Sequence, residues 1–240
     1  PILDVENTIT TKDNKKHLDP FERTNSLVMV GIYPLDATDS STYIFDHCDI
    51  TKDDDILHNR NTVQRILDET TTLVGHNISH DLLWLWESGF IYTGRVYDTM
   101  LSEYIFNRGV SQLLDLGTVA RRYDCAVEKQ DTLKEYFKKG LGVDEVPKDE
   151  LSSYLSSDLH ATQELFHSLE NELNNNSDSI GLINTVKHTN DVCITLAKIY
   201  KRGFSVDVEK LNNVKKEFEK EKLEIEKRLS TQVRELMGDT

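Results

Sequence analysis

The sequence has few cysteines, no long apolar run and fewer basic than acidic side chains. Its three cysteines, Cys48, Cys125 and Cys193, are odd in number and far apart. They therefore form neither a disulfide framework nor a zinc motif, which fits a reducing compartment. No apolar run approaches the ~20 residues that a membrane-spanning helix requires. The net charge of −14 argues against a tight, non-specific DNA binder that works alone, although cations can bridge carboxylates to phosphates.

The first residues, PILDVENTIT, contain no basic region followed by an apolar stretch, so we do not expect them to be a signal peptide. They also do not begin with Met. We therefore expect the chain to be a piece of a longer protein. Nothing in the sequence indicates an oligomeric state.

Strand-like and helical patterns alternate along the chain and predict an α/β fold whose sheet is covered on both faces. Residues 26–33 and 42–46 are β-rich runs separated by a turn, which predicts a hairpin, and the polar stretch 11–25 before them predicts a loop. A further strand, 71–77, leads into a helix that ends at Gly89. Helical patterns cover 60–69, about 79–88, 98–107, 111–123 and about 148–173.

The Asn- and Ser-rich cluster at 171–181 is the best candidate for a linker. We therefore place one domain at 1–173 and a separate extension at 174–240. Within the extension, residues 207–237 predict a long amphipathic helix, because the apolar residues form one stripe. The stripe breaks a strict heptad repeat, which favours packing on something outside this chain over a coiled coil.

Three pairs of polar side chains are spaced so that both members of each pair share a face. The pairs are Asp4 with Glu6 on a predicted strand, Asn77 with Asp81 at the start of a helix, and Tyr154 with Asp158 on a later helix. Residues two apart share one face of a strand, and residues four apart share one face of a helix. Four converging carboxylates would repel each other unless cations hold them together, and hard oxygen ligands suit Mg²⁺ or Mn²⁺. Two such ions can catalyse the hydrolysis of a phosphodiester.

Each pair also has a simpler explanation when it is taken alone. A D-x-E sequence occurs by chance in a chain with 42 acidic residues. Asn77 could be only a helix N-cap, and Tyr154 only a half-buried helix residue. His76 and His80, four apart, raise the alternative of a zinc site, but neither an H-E-x-x-H motif nor a cysteine partner accompanies them. A structural role for these histidines is therefore favoured.

The ordered set is more specific than its parts, and it resembles the 3′–5′ proofreading exonuclease domain of family A DNA polymerases. The order is strand D-x-E, then strand–G-H-N-x-x-x-D–helix, then helix Y-x-x-x-D. The stretches 96–107 and 111–123 are also similar to that family. Residues 196–221, with a GFSVD turn before a long helix, are similar to the entry into the polymerase thumb. Phage-encoded polymerases are as similar as bacterial ones.

The resemblance implies a ribonuclease H-like mixed β-sheet flanked by helices, followed by a long-helix extension that is the linker and the beginning of the thumb. It implies a two-metal-ion hydrolase that binds Mg²⁺ or Mn²⁺ and removes nucleotides from single-stranded or frayed DNA 3′ ends. The expected partners are DNA and the remainder of the polymerase chain. The expected location is the cytoplasm, that of the host if the protein is phage-encoded. The polymerase's palm and finger motifs are absent, so we expect no DNA synthesis by this chain.

The resemblance also implies roles for individual residues. Five residues would be catalytic, namely Asp4, Glu6, Asp81, Tyr154 and Asp158. The four carboxylates among them would bind metal, and the Tyr154 hydroxyl would orient the attacking water. Asn77 would face the terminal nucleotides of the substrate. Asn7 stands where the family usually has a threonine that can touch the primer end, so Asn7 is a candidate substrate contact.

Two alternatives to the proofreading nuclease stay open. A ribonuclease D-like exoribonuclease has the same tyrosine pattern, although the thumb-like tail favours DNA. A catalytically silent domain that serves as a DNA-binding scaffold would have lost carboxylates from the site. All four carboxylates and the tyrosine are present in this sequence.

Overall fold

Strands interleaved with helices come first in the chain, and helices alone follow. The computed structural model describes residues 1–12, 15–52, 54–110, 112–125, 133–175 and 180–237. Within these ranges the strands are β1 (Ile2–Asn7), β2 (Thr10–Lys12), β3 (Lys15–His17), β4 (Leu27–Tyr33), β5 (Ser41–Ile44), β6 (Thr72–Gly75) and β7 (Arg95–Asp98). The helices are α1 (Ile56–Glu69), α2 (Ile78–Glu87), α3 (Thr99–Phe106), α4 (Leu116–Arg122), α5 (Leu133–Lys138), α6 (Lys148–Asn175), α7 (Ile183–Arg202) and α8 (Val208–Met237).

Five of the strands form one mixed sheet in the order β5-β4-β1-β6-β7. β1 pairs antiparallel with β4, and β4 pairs antiparallel with β5, so the predicted hairpin is confirmed. On its other side β1 pairs parallel with β6, which pairs parallel with β7. The carboxyl ends of these three parallel strands lie at one edge of the sheet, where α2 and α3 begin directly after β6 and β7. That edge is where an open α/β sheet places a ligand site.

The two faces of the sheet have separate hydrophobic cores. Leu3 and Val5 of β1 pack with side chains of α1 and α2, among them Leu67 and Trp84. Ile2, on the alternate face, packs with the buried leucines of α6. This division follows the two-residue period of a strand, since successive side chains point to opposite faces. The predicted mixed sheet flanked by helices is therefore confirmed.

Helix α6 lies directly on the backbone of β4 at Gly31. A Cβ atom added at Gly31 would lie 2.7 Å from Cδ1 of Leu159 and 2.8 Å from Cγ of Leu155, which is closer than real Cβ atoms approach. Gly31 pairs with Asp4 of β1 across the sheet. The missing side chain therefore lets α6 sit close to the strand pair that carries Asp4.

Two sequence predictions fail at short or polar elements. Residues 11–25 were predicted as a loop, but β2 and β3 pair there as a two-stranded antiparallel sheet. Such a polar ribbon has no alternating apolar signal to reveal it. The predicted helix 111–123 is shorter, because α4 begins only after its N-cap Asp115, whose side chain accepts a hydrogen bond from the Thr118 N–H at 3.0 Å. Residue 111 lies outside the described residues.

Helix α1 also differs from its prediction, since it begins four residues early. Its N-cap is Asp55, whose side chain accepts a hydrogen bond from the His58 N–H at 2.8 Å.

The chain divides into two units at a different point from the predicted linker. The first unit runs from Pro1 to Lys201 and the second from Arg202 to Thr240. Helix α6 continues to Asn175, residues 176–179 lie outside the described part, and α7 belongs to the first unit with Cys193 in its core. The predicted linker at 171–181 is thus largely helical where it is described. That 174–240 is a linker and the start of a polymerase thumb stays a prediction.

The second unit contains the long amphipathic helix, which is confirmed as α8. Among the described helices of both units, none combines the length and apolar character needed to cross a membrane.

We predict that Gly31→Ala lowers the free energy of unfolding by about 1–3 kcal/mol, because the added methyl group must displace Leu155 or Leu159 from a packed core. Urea denaturation of the parent and the variant measures this difference. Gly181→Ala is the matched control, because no atom lies within 4 Å of a Cβ added there. If Gly31→Ala and Gly181→Ala unfold at the same urea concentration, α6 does not depend on this close approach.

Candidate active site

Strand β1 and helix α6 bring four of the predicted residues to one cleft. The cleft has a volume of about 430 Å³, and its lining includes Asp4, Glu6, Asn77, Tyr154 and Asp158. Asp4 and Glu6 share one face of β1, as their spacing predicts. Tyr154 and Asp158 reach that face because they neighbour the two leucines that contact Gly31. The close approach of α6 to the sheet thus assembles the cleft.

Asp81 lies beside Asp4 but does not line the cleft. Asp81 belongs to α2, and only 3% of the residue is exposed. Beside it, Oδ1 of Asp4 accepts the backbone N–H of Val5 in β1 at 3.0 Å. Burial raises the pKa of Asp81, and the neighbouring charge of Asp4 raises it further. Two carboxyl groups side by side in a buried place are the arrangement that a bound cation stabilises.

The Tyr154 hydroxyl lies among three of the predicted carboxylates. It donates a hydrogen bond to the carboxylate of Asp158. Burial raises the pKa of Tyr154, and the charges of Asp158, Glu6 and Asp4 raise it as well. The phenol is therefore a neutral hydrogen-bonding group at the edge of the acidic cluster.

The carboxylates of Asp4, Glu6 and Asp158 line an open cleft rather than a closed cage. Among the described residues, no three of the four carboxylates offer oxygen atoms that all lie within 4.8 Å of one another. A magnesium ion that keeps several waters and takes oxygen atoms from a substrate phosphate needs such an open arrangement. The hard oxygen donors, the volume of the cleft and the crowding of Asp81 against Asp4 all fit divalent cations.

A second group of side chains of the types that bind metals makes hydrogen bonds within the protein instead. His47, Cys48 and Asp49 lie within 4.8 Å of one another. Nδ1 of His47 accepts the backbone N–H of Asp49 at 3.0 Å, and Nε2 is 2.7 Å from the carbonyl oxygen of Val146. Both ring nitrogens are therefore engaged, and this group does not offer a metal the usual ligand set.

Asn77 occupies a strained turn between β6 and α2. Its φ and ψ are 65° and 44°, in the left-handed region, and its side chain does not cap the helix. The exposed side chain lines the cleft instead, and its Oδ1 accepts a hydrogen bond from the Ser79 hydroxyl at 3.3 Å. Asn77 thus stands at the N-cap position of α2 without a capping hydrogen bond from its side chain. Asparagine tolerates this conformation better than most residues, and such strain is common at functional sites.

The turn at Asn77 is held by two residues that the sequence did not single out. Oδ1 of the buried Asp98 accepts the backbone N–H groups of Asn77 (3.0 Å), Met100 (2.9 Å) and Leu101 (3.2 Å). The Asp98 N–H in turn donates to Oδ1 of Asn190 in α7 at 2.6 Å. Burial raises the pKa of Asp98 to about 6. An Asp that precedes a helix is an N-cap signal, but nothing in the sequence links Asn190 to this turn.

The two histidines near the site have structural roles, as the sequence favoured. The ring nitrogens of His76 lie 2.9 Å from the Thr99 hydroxyl and 2.7 Å from the carbonyl oxygen of Leu114. Nε2 of His80 accepts the indole N–H of Trp84 at 3.1 Å. These contacts occupy both ring nitrogens of His76 and Nε2 of His80, so a zinc ion shared by the two residues would have no free nitrogen on His76.

Asn7, the second predicted substrate contact, lies outside the cleft, and its role stays a prediction. The residue is 4% exposed and is not among those that line the cleft. The reason is the alternation along β1, which turns Asn7 away from the face of Asp4 and Glu6. The β-bulge between Glu6 and Asn7 interrupts the pairing with β4 at the same place.

Comparison with known proteins agrees with the fold. A family model described as 3′-5′ exonuclease matches residues 16–174, a range that contains Asn77, Asp81, Tyr154 and Asp158 and begins after Asp4 and Glu6. No curated protein matches the chain.

Solved nuclease structures share the fold at low sequence identity. One is the apo form of a nuclease, at 17% identity and a TM-score of 0.59, with 84% of each chain covered. Brucella melitensis NrnC with bound Mg²⁺ has 18% identity and a TM-score of 0.56, over 84% of this chain and 85% of that one. NrnC bound to pGG has 19% identity and a TM-score of 0.58, with 84% of each chain covered. The prediction of a ribonuclease H-like sheet is confirmed, and the chain belongs to the 3′-5′ exonuclease family.

Proposed function

We propose that this chain is a metal-dependent exonuclease that removes nucleotides from the 3′ ends of single-stranded or frayed DNA. The observation that carries the proposal is the cleft in which Asp4, Glu6, Tyr154 and Asp158 meet, with Asp81 beside Asp4. A carboxylate-lined cleft accepts an unpaired terminus more easily than a paired one, because a paired end would have to separate first.

Four carboxylates, those of Asp4, Glu6, Asp81 and Asp158, would hold two Mg²⁺ or Mn²⁺ ions. When bound, such ions lower the pKa of a water and neutralise charge on the phosphate. The Mg²⁺ ion bound to the structurally similar NrnC supports this assignment.

The protein's own groups orient the reactants. The Tyr154 hydroxyl, already hydrogen-bonded to Asp158, would position the attacking water, and the Asn77 amide would contact the terminal nucleotides. The water oxygen bonds to phosphorus and gives up a proton while the bond from phosphorus to the 3′ oxygen breaks, and that 3′ oxygen takes up a proton to become a hydroxyl. The products are a nucleoside 5′-monophosphate and a strand shortened by one nucleotide.

The sequence context supports DNA as the substrate. The tail resembles the entry into a polymerase thumb, so we propose that the chain is the proofreading part of a family A polymerase that works in the cytoplasm. Its partners would be DNA and the rest of that polymerase.

RNA is the second candidate substrate, and one specific observation favours it. Brucella melitensis NrnC, whose fold this chain shares, has been solved with pGG bound. The same arrangement of carboxylates can act on either backbone, because the bond that breaks joins phosphorus to a 3′ oxygen in both.

We expect the chain to shorten a 5′-labelled single strand from its 3′ end in Mg²⁺ and to stop when the metal is chelated. The rate on DNA, on RNA of the same sequence and on a blunt DNA duplex gives the substrate order. The proposal predicts that single-stranded DNA is degraded fastest. RNA degraded faster than DNA would favour the second candidate, and equal rates on blunt duplex and single strand would contradict the preference for unpaired ends.

For Tyr154→Phe we expect a lower cleavage rate with little change in the Mg²⁺ concentration required. The variant keeps the ring and the four carboxylates but loses the hydroxyl. Groups that position or transfer protons contribute about 10²–10⁴-fold, and a group that only orients water should lie at or below the lower end of that range. Asp81→Ala is the comparison, since it should change the metal requirement as well as the rate. A Tyr154→Phe variant that cleaves at the parental rate at every Mg²⁺ concentration would show that the tyrosine only packs.

A further inference from the structure

A second cavity adjoins the cleft at Asn77, which lines both. It has a volume of about 350 Å³, within the roughly 300–1,000 Å³ of typical ligand pockets. We call it the α2–α7 groove after the helices on either side. Its remaining walls are Leu18, Ser79, His80, Leu83, Leu196 and Tyr200, together with Pro20 and Ala197.

The groove presents apolar and aromatic surface to solvent. Tyr200 is 65% exposed and Leu196 is 59% exposed. The Tyr200 ring packs against Phe21, with ring centroids 5.8 Å apart at an angle of 45°. Flat aromatic and aliphatic walls of this kind bind the faces of nucleobases without regard to sequence.

The charge of the groove differs from that of the cleft beside it. None of the described residues that line the groove is acidic, in a chain whose net charge is −14. The groove also offers a polar donor. Because Nε2 of His80 accepts the Trp84 indole N–H, Nδ1 of the neutral ring carries the proton. The acidic surface elsewhere would repel a phosphate backbone, whereas the described walls of this groove contain no carboxylate to do so.

We infer that the α2–α7 groove binds the nucleotides on the 5′ side of the one that the cleft holds. The inference rests on the proposed function and adds a second binding region to it. Continuity through Asn77 is the main argument, since a strand whose 3′ end reaches Asp4 and Asp158 can continue past Asn77 into the groove. The α7 wall lies beyond the residues that the exonuclease family model matches, so this region extends the family domain.

The test compares kcat/KM for a dinucleotide and a decanucleotide with the same 3′ sequence, in DNA and in parallel in RNA. The parent should prefer the longer strand. In Tyr200→Ala that preference should fall about tenfold to a hundredfold, the range for losing one aromatic stacking partner. Tyr200→Phe keeps the ring and should retain the preference. Ile199→Ala, at the neighbouring position on α7, removes an equally exposed side chain that does not line the groove and should also retain it.

The outcomes separate this inference from the proposed function. A parent that degrades neither length, in DNA or in RNA, overturns the proposed function and this inference with it. A parent that is active, with the same length preference in Tyr200→Ala, leaves the proposed function intact and overturns the groove assignment in favour of a protein segment as its occupant. An equal loss in Ile199→Ala also overturns the assignment, because the effect would then belong to α7 as a whole.

Discussion

The close contact between α6 and β4 at Gly31 is the constraint on which the site depends. Asp4 pairs with Gly31 across the sheet, and the two leucines above Gly31 neighbour Tyr154 and Asp158 along α6. A side chain at position 31 would lift the helix and move its two polar residues away from β1. The glycine at position 31 therefore allows a strand and a helix that are distant in sequence to line the same acidic cleft.

That cleft concentrates negative charge where the protein solvates it poorly. Asp81 is buried beside Asp4, and the Tyr154 phenol lies close to three carboxylates. Hydrogen bonds relieve part of the cost, among them the Val5 N–H donated to Asp4 and the Tyr154 hydroxyl donated to Asp158. We propose that cations relieve the remaining repulsion. The groove beside the cleft, where none of the described lining residues is acidic, would then take the nucleic-acid backbone.

Sequence patterns predicted the elements whose apolar residues recur at regular spacing and the polar pairs that follow one another in a fixed order. The β4–β5 hairpin, α6 and α8 all follow from regular spacing of apolar residues. The three polar pairs followed from spacing within single elements, and the cleft contains both members of two pairs and Asn77 of the third. Asn7 was named from the family resemblance and not from spacing, and strand alternation, which places Asp4 and Glu6 together, places Asn7 on the other face.

Features that depend on contacts between distant segments could not be predicted from the sequence. The bond from the Asp98 N–H to Asn190 joins β7 to a helix that was predicted to belong to the separate extension 174–240. The groove likewise needs α7 to lie beside α2, and β2 and β3 pair through backbone groups that leave no apolar pattern.

The most direct test of a cation site shared by β1 and α6 is the thermal unfolding of the parent and Asp158→Ala, each with and without Mn²⁺. An ion that binds only the folded state stabilises it, by about 2.7 kcal/mol at one hundred times its dissociation constant. Mn²⁺ should therefore raise the melting temperature of the parent and of a control, Asp191→Ala, which removes an exposed carboxylate of α7. The shift should be much smaller in Asp158→Ala, which without metal should melt at or above the parent because one source of repulsion is gone. An equal Mn²⁺ shift in Asp158→Ala, or a metal-free variant that melts far below the parent, would contradict the account.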